Sequence, residues 1–204
     1  MAALREGVIR EGVATTAGDL SLEHQQRVMT ETATVGGGCF WCIEAALKEL
    51  QGVETVTSGY AGGDVPNPSY QRVCSGSTGH AEVVQIEYAP EEISYLELLE
   101  VFFKVHDPTT KDRQGPDVGS QYRSIVLYHD DEQRRQVEGF IERLNEEVYD
   151  GGVVTEVQPL ETFYEAEEYH QDYYEKNPAD GYCQVQVEPK VEKVRKEFAA
   201  LLAE

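Results

Sequence analysis

From residue 31 onward the chain alternates short apolar runs of period two with longer runs of helical period, separated by glycines and prolines. Threonine and valine mark 31–35 as a strand, and directly behind it Ile43, Ala46, Leu47 and Leu50 recur at helical spacing, which predicts a helix over 39–50. A second strand follows over 53–59, then a loop over 60–70 broken by Gly62, Gly63, Pro66 and Pro68. Strict alternation predicts a strand over 81–88. Ser94, three residues ahead of Glu97, opens a helix whose apolar face is Leu98, Leu99, Phe102 and Phe103 and which stops near His106-Asp107-Pro108. An irregular polar segment leads to a strand over 122–128, a helix over 130–148 and a short strand over 153–157. Towards the end the pattern reads as a helix over 164–176, a sheet-pairing segment over 183–187, and a terminal helix from Pro189 to about Leu202. Residues 1–32 lack sustained periodicity and read as an N-terminal extension, weakly ordered or peripheral, which leaves 33–204 as a single domain. Strands and helices mix without strict βαβ alternation, so the expected class is an α+β sandwich on a mixed, mainly antiparallel sheet.

Composition changes the picture in charge more than in hydrophobicity. Apolar residues at 40% and charged residues at 27% are ordinary for a globular chain, but 17 Lys+Arg against 38 Asp+Glu leave a net charge of −21. A field of that sign repels nucleic acid and anionic membrane surfaces, so neither is an expected partner. Spread along the whole chain, with lysine scarce, the acidity fits a saline cytoplasm. No apolar stretch approaches the ~20 residues of a membrane span and no secretory leader is visible, so the expected location is cytoplasmic. Four cysteines are too few and too unevenly spaced for a disulfide-stapled scaffold and point to thiol chemistry.

The sharpest candidate is Cys39, where Gly36-Gly37-Gly38 turns from strand into helix. Unpaired N–H groups and the positive end of the dipole at a helix start favour a thiolate, whereas an inert buried cysteine is the other reading. Cys42 completes a C-x-x-C. Phe40 and Trp41 beside a reactive thiol would suit a methyl or thioether group, since sulfur and aromatic rings attract. Glu82, at the head of an apolar strand, is placed to be desolvated and to act as an acid near neutrality; a solvated strand-edge charge is the alternative. Tyr70, Tyr122 and the 117–124 segment collect further polar groups beside turns. His80, His106, His170, Cys74 and Cys183 lack metal-ligand spacing, so neither a metal nor another cofactor is expected.

Read in order, Gly38-Cys39-Phe40-Trp41, Gly59-Tyr60-Ala61-Gly62-Gly63, Asn67-Pro68-Ser69-Tyr70, Val73-Cys74-Ser75-Gly76, Gly79-His80-Ala81-Glu82, His106-Asp107-Pro108, Gln121-Tyr122-Arg123-Ser124 and Glu168-Tyr169-His170-Gln171 resemble the peptide methionine sulfoxide reductase A family. The resemblance runs from about Val35 to Cys183. It implies a two-layer α/β sandwich with a ferredoxin-like core, and thiol-dependent reduction of peptide and free methionine-S-sulfoxide. It further implies Cys39 as nucleophile, Phe40 and Trp41 as the methyl pocket, Glu82 as general acid, and Tyr70, Asp117 and Tyr122 as the remaining polar cradle. A sulfenic acid on Cys39 would then be captured by a second thiol, and a thioredoxin-like dithiol would reduce the resulting disulfide. Cys183 matches the resolving position in some relatives, with Cys42 as runner-up; Cys74 is read as structural.

Overall fold

The computed structural model describes residues 29–203. The extension expected over 1–32 therefore lies almost wholly outside the described residues. Among the described residues, eight strands and six α-helices follow in chain order: β1 (Glu31–Gly36), α1 (Phe40–Leu47), β2 (Val53–Ala61), α2 (Tyr70–Cys74), β3 (Ala81–Tyr88), α3 (Tyr95–Val105), β4 (Arg113–Gln114), β5 (Asp117–Val118), β6 (Ile125–Tyr128), α4 (Asp131–Leu144), β7 (Glu156–Pro159), β8 (Tyr164–Glu165), α5 (Tyr173–Lys176) and α6 (Glu188–Glu197).

The main sheet has the order β7-β6-β1-β3-β2-β8, with β6 and β7 its parallel pair. Its centre, β6-β1-β3-β2, is antiparallel throughout and is built from a β1-α1-β2-β3-α3-β6 run, the ferredoxin-like arrangement. Val35, Val56, Val84, Ile86 and Val126 join Ile43, Leu47, Leu98, Leu99 and Phe102 of α1 and α3 in the principal core. Ala81, Val83, Ile125 and Leu127 form a smaller cluster that Leu160 and Phe163 cover.

Several stretches differ from the pattern in the sequence. The helix expected over 130–148 is α-helical only to Leu144 and continues as a π-turn over Asn145–Tyr149. The helix expected over 164–176 is instead β8, a 3-10 turn over Glu168–His170 and the short α5. Gln171 explains this: its side-chain amide donates to Ser58 O and accepts from Ser58 N, each at 2.9 Å, closing the β2 edge as a strand would. The segment 183–187 does not pair with the sheet; it is a π-turn leading into α6. Tyr122 lies in a 3-10 turn ahead of β6.

Candidate active site

The glycine run delivers Cys39 to the first turn of α1. Gly38 stands at φ +99°, in the region that favours glycine, and any Cβ on it would meet the Gln114 side chain at 2.6 Å. A Cβ at Gly36 would meet the carbonyl oxygen of Glu82 at 2.5 Å, so only glycine lets the end of β1 approach β3 this closely. The ring of His106 lies under Gly37, where a Cβ would touch it at 2.9 Å. Burial drops the His106 pKa to about 4. Its neutral ring therefore donates from Nδ1 to Phe102 O at 2.6 Å and accepts the Ser124 hydroxyl on Nε2 at 2.8 Å.

Cys39 is the N-cap residue of α1 and is 8% exposed. The expectation that the helix start alone would favour its thiolate does not hold in this state. Burial first, then the shared hydrogen bond with Cys42 and the Glu82 charge, push the Cys39 thiol well up. Cys42, hydrogen-bonded by Cys39, comes down to about 7.

Glu82 is 1% exposed and accepts the Phe40 backbone N–H at 3.1 Å, at the start of the helix that carries Cys39. Burial raises its pKa to about 8, opposed by that hydrogen bond and reinforced by the charges of Asp117 and Cys42. It is the desolvated acid expected from the strand-head position. Tyr70 and Tyr122 are half-buried phenols pushed up, first by burial, then by the Cys74 hydrogen bond for Tyr70 and by the Glu82 charge for Tyr122. Asp117, on the β4-β5 hairpin, accepts the Tyr182 hydroxyl at 2.8 Å. The structure thus gathers Cys39, Glu82, Tyr70, Asp117 and Tyr122 around one place.

Phe40 is buried beneath Trp41 and His170, and Trp41 stacks on Tyr173 with ring centroids 3.7 Å apart and planes 7° from parallel. Tyr182 closes the indole edge-on at 5.8 Å, and burial with the Cys39 charge raises its phenol far above the usual range. His170, Tyr173 and Tyr182 pack on Trp41, and the sequence reading assigned none of them a role. The available signal for the two tyrosines was the tyrosine excess, 12 against 6 phenylalanines, with half of the tyrosines beyond residue 148.

Cys183 is fully buried at the start of its π-turn; burial, Asp180 and then Cys42 raise its thiol. Cys42 points the same way, with Sγ 3.6 Å from Gln186 O on that turn. Cys74 is half-buried beside Tyr70. All four cysteines are free, and among the described residues no group of His, Cys, Asp and Glu is arranged to hold a metal.

A family model described as peptide methionine sulfoxide reductase matches residues 31–202. The chain belongs to that family. It is 67% identical, over 85% of its own length and 99% of the relative's, to the peptide methionine sulfoxide reductase MsrA of Haloquadratum walsbyi. Among solved structures it is similar to reduced Mxr1 of Saccharomyces cerevisiae, with TM-score 0.70 and 38% identity over 74% of this chain and 87% of that one. Methionine sulfoxide reductase A of Corynebacterium diphtheriae gives TM-score 0.71 and 36% identity over 74% and 76%. Family membership makes the chain an oxidoreductase whose thiol acts on methionine sulfoxide.

Proposed function

We propose that this family member reduces the S epimer of methionine sulfoxide through Cys39, with Glu82 as the proton donor. The observation that carries the assignment is the burial of Glu82, which lifts its carboxyl to about 8, together with its hydrogen bond to the first turn of the helix that begins at Cys39. The sulfoxide methyl lies against Phe40 and Trp41, and its oxygen faces Glu82 and the Tyr70 and Tyr122 hydroxyls. The Cys39 thiolate attacks the sulfoxide sulfur, and Glu82 protonates the oxygen. Transfer of that hydroxyl to Cys39 releases methionine and leaves Cys39 as a sulfenic acid, so sulfur is reduced at the substrate and oxidised at the enzyme. Asp117 anchors Tyr182 beside the thiol.

A second thiol then displaces the sulfenic hydroxyl as water and forms a disulfide. Cys183 is the resolving residue, with Cys42 as runner-up: a Cys39–Cys42 bridge closes a small ring within one helical turn and strains disulfide geometry. A thioredoxin-like dithiol restores the thiols by exchange. Mxr1 of Saccharomyces cerevisiae crystallises in complex with Trx2, which supports a reductant of this class. The reaction takes place in the cytoplasm. Among the described residues no helix is long and apolar enough to cross a membrane.

The deciding experiment offers peptides carrying either sulfoxide epimer, with dithiothreitol in high salt, to wild type and Cys39→Ser. Turnover of the S epimer alone, lost in Cys39→Ser, is the expected result. Failure of folded wild type to turn over the S epimer overturns the proposal.

A further inference from the structure

One buried ionisable group close to the site has no part in the chemistry above. Glu44, on the same helix as Trp41 and one helical turn beyond it, is 1% exposed. Its Oε1 reaches across to the segment after the 3-10 turn and accepts the backbone N–H of Asp172 at 3.1 Å. Asp172 stands at φ +55°, a left-handed conformation uncommon for a residue with a side chain, which Asp tolerates better than most and which its surroundings here support. Those surroundings are visible. The Asp172 carboxylate pairs with Lys48, one turn further along α1, and with Lys176 at 3.5 Å. Both the backbone and the side chain of this turn are therefore tied to the helix that begins at the nucleophile.

The turn separates two aromatic residues that meet on one indole. His170 lies before it, with its ring 5.6 Å from Trp41, and Tyr173 lies after it, in the close parallel stack. Straightening the chain at Asp172 would leave at most one of them there. We propose that Glu44 is a positioning residue of the sulfoxide pocket: by holding the Asp172 N–H it fixes the turn that presses His170 and Tyr173 against Trp41, and so sets the methyl-binding wall. The proposal rests on the reading of Trp41 as that wall. Burial lifts the Glu44 carboxyl to about 7 against the hydrogen bond from Asp172. Both its acid and its carboxylate form present an oxygen to that N–H, and so does a glutamine.

Trp41 is the single tryptophan of the chain, so intrinsic fluorescence reads this wall alone. The test compares wild type, Glu44→Gln, Glu44→Ala, Tyr173→Ala and the Glu44→Ala/Tyr173→Ala pair by acrylamide quenching of Trp41 and by steady-state kinetics on an S-sulfoxide peptide. Glu44→Ala is expected to increase quenching about twofold and to raise KM about tenfold while kcat changes little, the signature of lost binding with intact chemistry. Glu44→Gln restores both readouts. The double variant is no worse than Tyr173→Ala, because both act through one contact. Unchanged quenching in Glu44→Ala, or simple addition of the two single effects, overturns the proposal. If Glu44→Ala does not fold, Glu44→Asp keeps the charge, falls short of Asp172 and takes its place in the same comparison. Should wild type fail to reduce the peptide, the proposed reaction fails, while Trp41 quenching still decides the role of Glu44.

Discussion

At the scale of single residues, Glu82 gives the clearest prediction because its environment reverses its ordinary chemistry. A general acid must carry its proton, and a carboxyl raised to about 8 carries it across the neutral range. The limb of the pH profile set by Glu82 is therefore expected to fall as pH rises through about 8, opposed by the ionisation of Cys39. Glu82→Gln should lower kcat/KM by ~10²–10⁴-fold and abolish that limb, which a pH–rate profile on both proteins checks. The same shift enters stability with a definite sign. The folded pKa lies above the unfolded value near 4.5, so the contribution of the proton is complete below about 4.5 and is lost as pH rises through about 8. Glu44, raised to about 7, acts in the same direction. Urea midpoints should decline over that window in wild type and decline less in Glu82→Gln. The thiols give a second test. Cys183→Ser should release one methionine per enzyme in a burst and then stall with a thioredoxin-type reductant, whereas Cys42→Ser should continue to turn over; the reverse pattern would make Cys42 the resolving residue.

At the scale of elements, what could be read in advance followed local chemistry. Ser94 and Glu97 form both hydrogen bonds of a capping box, as their spacing alone required, so Ser94→Ala should cost ~1 kcal/mol and lower Tm by a few degrees in a thermal melt. β1, α1, β2, β3 and α3 carry strong periodicity and lie where it placed them. The stretch from 164 to 176, read as a helix, does not. Its helical residue types were overridden by partners far away in sequence: Gln171 occupies the edge of β2, Glu167 accepts the Tyr60 hydroxyl at 2.8 Å and the Tyr70 N–H at 3.0 Å, and Glu44 holds Asp172. Local propensity cannot register a contact across 97 to 128 residues. Gln171→Leu should be severely destabilising, by ~1–3 kcal/mol for each buried backbone group left unpaired, measured as a shift in the urea midpoint.

At the scale of the whole molecule, charge and topology separate what each level decides. With a net charge of −21, like charges repel across the surface, and raising salt shortens the Debye length from ~10 Å at 0.1 M to ~3 Å at 1 M. The Tm is expected to rise from low to molar salt; a flat or falling profile would mean that self-repulsion does not limit stability. The sequence by itself determined the fold class, the strand-to-helix position of Cys39 and the candidacy of Glu82, because periodicity, glycine conformation and strand-end placement are local properties. Only the tertiary structure set the burial and neighbouring charge that push the Glu82 carboxyl and the Cys39 thiol up. It likewise decided which aromatics from the last third of the chain pack on Trp41. Those residues reach Trp41 through a turn at Asp172 that α1 holds, and nothing in their own sequence neighbourhood specifies that contact.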